Sequence, residues 1–86
     1  MNPRLQAALK RAFGNVPARM LDIQKRVSRG EERGADVGGV QQMIADWQTL
    51  SRALVVPEDS AVAEGRATDL ENDCETMENL LTGMGV

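Results

Sequence analysis

Residues 69–81, DLENDCETMENLL, place five carboxylates, one cysteine and one methionine in thirteen consecutive positions. Three chemistries could use that set: cation binding by clustered acids, proton transfer between paired carboxylates, or attack by a Cys74 thiolate. A nucleophilic thiolate needs cationic or helix-N-terminal help. Here Asp73 and Glu75 flank the sulfur, with Glu71 and Glu78 nearby, so Cys74 reads as a small apolar packing residue.

The other chemistries fare no better. Asp69, Glu71, Asp73 and Glu75 alternate as at the start of an EF-hand loop. That loop requires glycine at its sixth position and glutamate at its twelfth, where this chain has Cys74 and Leu80. The chain holds no histidine and no tyrosine, which removes the usual general base and the Glu-x-x-His motif of di-iron bundles. Ser28, Ser51 and Ser60 have no evident base. The residues support no catalytic site, no cofactor and no specific metal site, and the expectation is a protein that is not an enzyme.

Spacing explains the stretch better. Ala63, Ala67, Leu70, Cys74, Met77, Leu81 and Met84 recur at alternating intervals of four and three, a heptad-type apolar seam. Glu64, Glu71, Glu75 and Glu78 fall together beside it as an acidic face. Such a stretch is an amphipathic helix with one dry face and one wet one.

The rest of the chain punctuates as helices as well. Asn2-Pro3 is a start signal, and Leu5, Leu9, Ala12 and Phe13 form a stripe that Gly14 would end. Pro17 restarts a second helix, to Arg29 or, if Gly30 is tolerated, to Arg33. Asp36 caps a third, whose apolar residues Val37, Val40, Met43, Ile44, Trp47, Leu50 and Leu54 span an arc of about 140°. So wide an arc predicts a central helix with several neighbours. Pro57 ends it, and a fourth helix follows, with Gly83 as its stop. The expected helices are 3–13, 17–29 or 33, 37–54 and 58–82, in a single all-α domain over 1–86. About three residues join the third helix to the fourth, predicting an antiparallel helical hairpin with the two shorter N-terminal helices packed across it.

With 86 residues and two aromatics, Phe13 and Trp47, the core is thin for a monomer. A dimeric helical bundle is therefore expected, with Val40, Ile44, Trp47, Leu50, Leu54, Leu70, Met77 and Leu81 as interface candidates. The lone cysteine points to a reducing compartment, the cytoplasm. No segment nears the ~20 apolar residues of a membrane span.

Charge is unevenly divided. Residues 1–33 carry eight Lys/Arg against three acids, and residues 34–86 carry two Arg against ten acids. Within the basic half, ALKRAFGNVPARMLDIQKRV (8–27) reads as helix, glycine turn, helix, with Arg19, Lys25, Arg26 and Arg29 as a basic face opposite Met20, Ile23 and Val27. It resembles a helix-turn-helix over 8–29, which would imply a DNA-binding regulator with the second helix in the major groove. The turn is one residue longer than that motif's, a lysine stands where a small residue is usual, and the sequence pI is about 4.8. The leading expectation is instead a small protein-binding module, an adaptor, inhibitor or assembly factor of the kind phages and mobile elements encode, acting through a helical face. Its partners would be a second copy of itself and another protein, with the basic arginines meeting the acids of the fourth helix. A structural subunit of a larger assembly, such as a phage particle, is the third reading.

Overall fold

A computed structural model of the protein describes the backbone of residues 2–53 and 57–86 and the side chains of 2–49 and 57–86. Every regular element among them is helical. Helix α1 runs without interruption through Pro3–Lys10, a π-helical turn at Arg11–Asn15, and Val16–Glu32. Helix α2 is Gly38–Ala53 and helix α3 is Ser60–Gly83. The all-α class stands, and the count of four helices is corrected to three.

The first correction has a physical cause at Pro17. Proline lacks an N–H and its ring crowds the carbonyl four residues back, so it normally breaks an α-helix. Here the preceding turn widens instead. The Val16 N–H donates to the Arg11 carbonyl, five residues back, which is the π-helical pattern. Gly14 keeps an ordinary negative φ, and only Gly34 and Gly85 adopt positive values. The turn that was expected at Gly14 is therefore an extra residue stored inside a continuous helix.

That extra residue sets the fold. Along α1 the buried positions are Ala8, Ala12, Val16, Met20, Ile23, Val27 and Gly30. Their spacing is alternating fours and threes, apart from one surplus residue between Ala12 and Val16. Along α3 they are Ala63, Ala67, Leu70, Cys74, Met77 and Leu81, with no surplus. The two rows meet in parallel. Arg4 pairs with Glu64, Arg11 with Glu71 and Arg19 with Glu78, separations of 60, 60 and 59 residues. The separation falls by one across the π turn, which absorbs the surplus and keeps both seams in register. The Met20 and Cys74 sulfurs, 3.6 Å apart, mark one such layer.

The pairing of α1 with α3 also corrects the expected hairpin. Helix α2 runs antiparallel to both and covers one side of their C-terminal halves. Its Gln41 bonds Glu31, while Met43 and Trp47 lie beside Asp73 and Met77. Val40 and Ile44 enter the core, with Met43 and Trp47 packed partly against it. The wide arc thus serves a flanking helix, and the long pair forms the centre. The molecule is a rod, 48 × 21 × 15 Å.

Helix ends follow local rules. The Asn2 side chain accepts from the Arg4 N–H ahead of Pro3, and the Asp59 side chain accepts from Ala61 and Val62. Asp36 accepts from Gly38 at the entry to α2. Helix α1 closes with Ala35 N–H on the Gly30 carbonyl and Gly34 N–H on Glu31. Helix α3 closes alike, with Val86 on Leu81 and Gly85 on Thr82. Both are Schellman closures, with the left-handed position held by Gly34 and Gly85. Gly83, the expected stop, remains helical because the motif needs its glycine just past the cap residue Met84.

The N-terminal stripe is corrected too. Leu5 and Leu9 are half-buried and Phe13 is exposed, whereas Ala8 and Ala12 are buried. Alanines at this level match Ala63 and Ala67 and allow a close approach. Larger side chains fill the other end, where Met20, Ile23, Met77 and Leu81 are almost fully buried. Each such side chain contributes about 1.5–3 kcal/mol by leaving water.

Two outcomes test this account. Deleting Gly14 together with Pro17→Ala should turn the π turn into plain α-helix in unchanged register, so thermal melting should match or exceed the parent's. Deleting Gln24 should lower it sharply, because every seam residue beyond would rotate out of line. At Gly30, an added Cβ would lie 2.9 Å from Val37 Cγ1 and 3.3 Å from both Val86 methyls. Gly30→Ala should therefore destabilise by about 1–3 kcal/mol through overpacking, read as a lower urea midpoint at unchanged slope.

Candidate functional site

The charged residues singled out in the sequence divide into two groups once placed on the rod. Arginines recur at heptad spacing along α1, at 4, 11, 19, 26 and 33, with the same surplus residue between 11 and 19. Glutamates sit immediately after seam positions of α3, at 64, 71 and 78. In a parallel pair these flanking positions face one another. Arg4 grips Glu64 with two bonds, Nε to Oε1 at 2.9 Å and Nη2 to Oε2 at 2.8 Å. Arg11 binds Glu71 in the same two-pronged way and adds Thr68. Arg19 binds Glu78.

The ladder continues past the acids. Arg26 donates to the Val86 carbonyl and to Thr82 Oγ1, at 2.7 and 3.0 Å through Nη2. Arg33 reaches the Gly85 carbonyl at 3.4 Å. Two parallel helices bring like ends of their dipoles together, and these cations offset the negative C-terminal end of α3. The hydrogen bonds from Arg4 and Arg11 hold the Glu64 and Glu71 carboxyls below the ordinary glutamate range, against a smaller opposing effect of burial. Donating to Glu64, Glu71 and Glu78, respectively, raises the Arg4, Arg11 and Arg19 guanidinium values.

Of the acidic face expected from sequence, Glu64, Glu71 and Glu78 belong to this ladder, and Glu75 is exposed outside it. Of the basic face, Arg19 and Arg26 flank the seam, whereas Lys25 and Arg29 are exposed on the outer surface. Arg4 and Arg11, which complete the ladder, were missed. Their signal was the heptad recurrence of arginine, hidden by the one-residue jump at the π turn. No turn divides residues 8–29, so the helix-turn-helix resemblance is overturned.

The interface candidates lie largely inside the chain. Val40, Ile44, Leu70, Met77 and Leu81 are buried and Trp47 is half-buried. The side chain of Leu50 and all of Leu54 lie outside the described residues. Large apolar side chains facing solvent are instead Phe13, Leu21, Val62, Leu80 and Met84. Counting the surplus residue, Phe13 and Leu21 occupy the same heptad position and lie along one line of α1.

Cys74 is fully buried in the seam, and burial pushes its thiol above the usual range, opposed by Arg19. A protonated, inaccessible thiol fits packing rather than attack. Among the described residues no group of three potential metal ligands converges, and no helix is long and apolar enough to cross a membrane. Between α2 and α3 a cleft of about 200 Å³ is lined by Met43, Asp46, Trp47, Asp73 and Met77.

No protein-family model, curated protein or solved structure matched the chain in comparison.

The ladder predicts an acid response with a definite sign. Glu64 and Glu71 have folded-state values below their unfolded ones. Their contribution to stability is present above about pH 4.3, the ordinary glutamate value, and is lost as pH falls through the folded values. The urea midpoint of the parent should therefore fall on acidification through this window. That of a Glu64→Gln, Glu71→Gln double variant should fall less. Equal acid loss in both proteins would show that the pairs contribute nothing.

Proposed function

We propose that the chain is a small non-enzymatic protein-binding module, an adaptor, inhibitor or assembly factor that presents a helical face. The observation that carries this reading is the line of apolar side chains on α1. Phe13 is 42% and Leu21 62% exposed, with half-buried Pro17 between them. The seam of the same helix is meanwhile closed by α3 within the chain. Single exposed apolar residues are ordinary on protein surfaces. Two large ones aligned on the outer flank of a long helix match the spaced anchors by which helices engage grooves.

The charge distribution supports the same reading over DNA binding. Arg19 and Arg26, two of the four residues of the expected basic face, are engaged with α3, which leaves only Lys25 and Arg29 of that face turned outward. The seams that suggested a dimer close on one another inside one chain. Self-association would then use the outer apolar line, and the assembly-subunit alternative is its extended form.

Photo-crosslinking residues placed at Phe13 and Leu21, with Asn72 as control, test the reading in cells of the source organism. One discrete protein should be captured from both positions and not from the control. It should be lost when the unmodified position of the pair is changed to serine. Capture from Asn72 as efficiently as from the line, or no capture at all, would refute the face. A series of self-crosslinked products would assign the assembly subunit instead.

A further inference from the structure

The cleft between α2 and α3 has the makings of a recognition site, and its chemistry is specific. Its walls include Met43, the Trp47 ring and the fully buried Met77. Two carboxylates, Asp46 and Asp73, also line it. Around the seam this protein pairs its acids: Glu64, Glu71 and Glu78 each hold an arginine. Asp46 and Asp73 do not follow that pattern. Among the described residues, Asp46 accepts only a 3.0 Å bond from the Gln42 side chain, and Asp73 has no side-chain hydrogen bond or ion pair.

A second observation comes from the indole. Trp47 Nε1 is buried with no acceptor among the described residues. A buried donor left unmade costs about 1–3 kcal/mol, so native interiors rarely keep one. The cleft therefore combines apolar walls, two carboxylates with no ion-pair partner among the described residues, and an unsatisfied donor on a lining residue.

We propose that this cleft receives one basic side chain, arginine or lysine, from a segment of a partner protein. An aliphatic stem would lie on Met43 and the Trp47 ring, with the cationic head held by Asp46 and Asp73. The volume suits one long side chain and falls below that of ordinary cofactor pockets, about 300–1,000 Å³. Two carboxylates against thioether and indole walls are a poor set for a hard cation, which wants six or more oxygens. The assignment rests on the protein-binding reading above and adds the chemistry of the partner to it.

Trp47 is the only tryptophan in the chain, so its indole N–H gives a single signal in a proton–nitrogen correlation spectrum. Acetyl-Gly-Arg-Gly-amide and its lysine counterpart are the probes, with the norleucine peptide as an uncharged control and n-butylamine as a free amine. The basic peptides should shift the signal saturably, and the norleucine peptide should not. Asp46→Asn with Asp73→Asn changes two exposed residues, so the variant should melt like the parent while binding the peptides about tenfold more weakly. Added salt should weaken binding to the parent as well.

Saturation by the norleucine peptide, an unaltered affinity in the double variant, or no saturable shift at millimolar peptide would overturn the proposal. Butylamine binding as tightly as the peptides would reassign the cleft to small amines and overturn the partner segment. A silent cleft with crosslinks still made from Phe13 and Leu21 would sink this assignment alone. Lost crosslinks with a peptide-responsive Trp47 would sink the apolar line alone.

Discussion

The parallel alignment of α1 with α3 governs everything else in this protein, and it depends on a single surplus residue. Two helices can share a seam only while their apolar rows stay in phase. One extra residue in one helix turns all following side chains by about 100°. The π turn at Arg11–Asn15 takes up that rotation locally. Beyond it, Met20 meets Cys74 and Arg19 meets Glu78, as Arg11 meets Glu71 before it. Pro17, which would break an ordinary helix, lies just beyond the turn that opens room for it.

Once the pair is parallel, its ends impose further demands. Both N-termini lie at one end of the rod and both C-termini at the other, so like dipole ends are neighbours. Asp59 caps the entry to α3, while Arg26 and Arg33 bind carbonyls at its exit. Gly30 lets the two Schellman closures come together, since only hydrogen separates its Cα from Val37 and Val86. The uneven charge of the two halves has the same origin. Basic α1 and acidic α3 are two rails of one ladder, and exposed pairs of this sort direct alignment more than they add stability.

The function proposed here uses what the scaffold leaves over. The seam takes the lone cysteine and most large apolar residues, and the ladder takes most arginines near it. What remains is a line of apolar side chains on the outer flank of α1 and a cleft beside α2 with two aspartates that have no ion-pair partner among the described residues. The proposed partner contacts rest on these two features.

The seam of α3 was legible in the sequence because its heptad spacing is unbroken from Ala63 to Leu81, and local periodicity needs no knowledge of the partner. The all-helical class, the caps at Asn2 and Asp36, and the place of Cys74 in the seam were legible for the same reason: each depends on residues within a few positions. The tertiary structure alone decided that Arg11–Asn15 is a widened turn of one continuous helix, because that outcome requires a second seam to reward continuing the helix. It decided that Ala8 and Ala12, not Leu9 and Phe13, face inward, since only the facing Ala63 and Ala67 make small residues the better fit. It also decided that α3 pairs with distant α1 before adjacent α2. Chain proximity favours the hairpin, but the length of matched seam and the aligned charges favour the parallel pair, and they prevail.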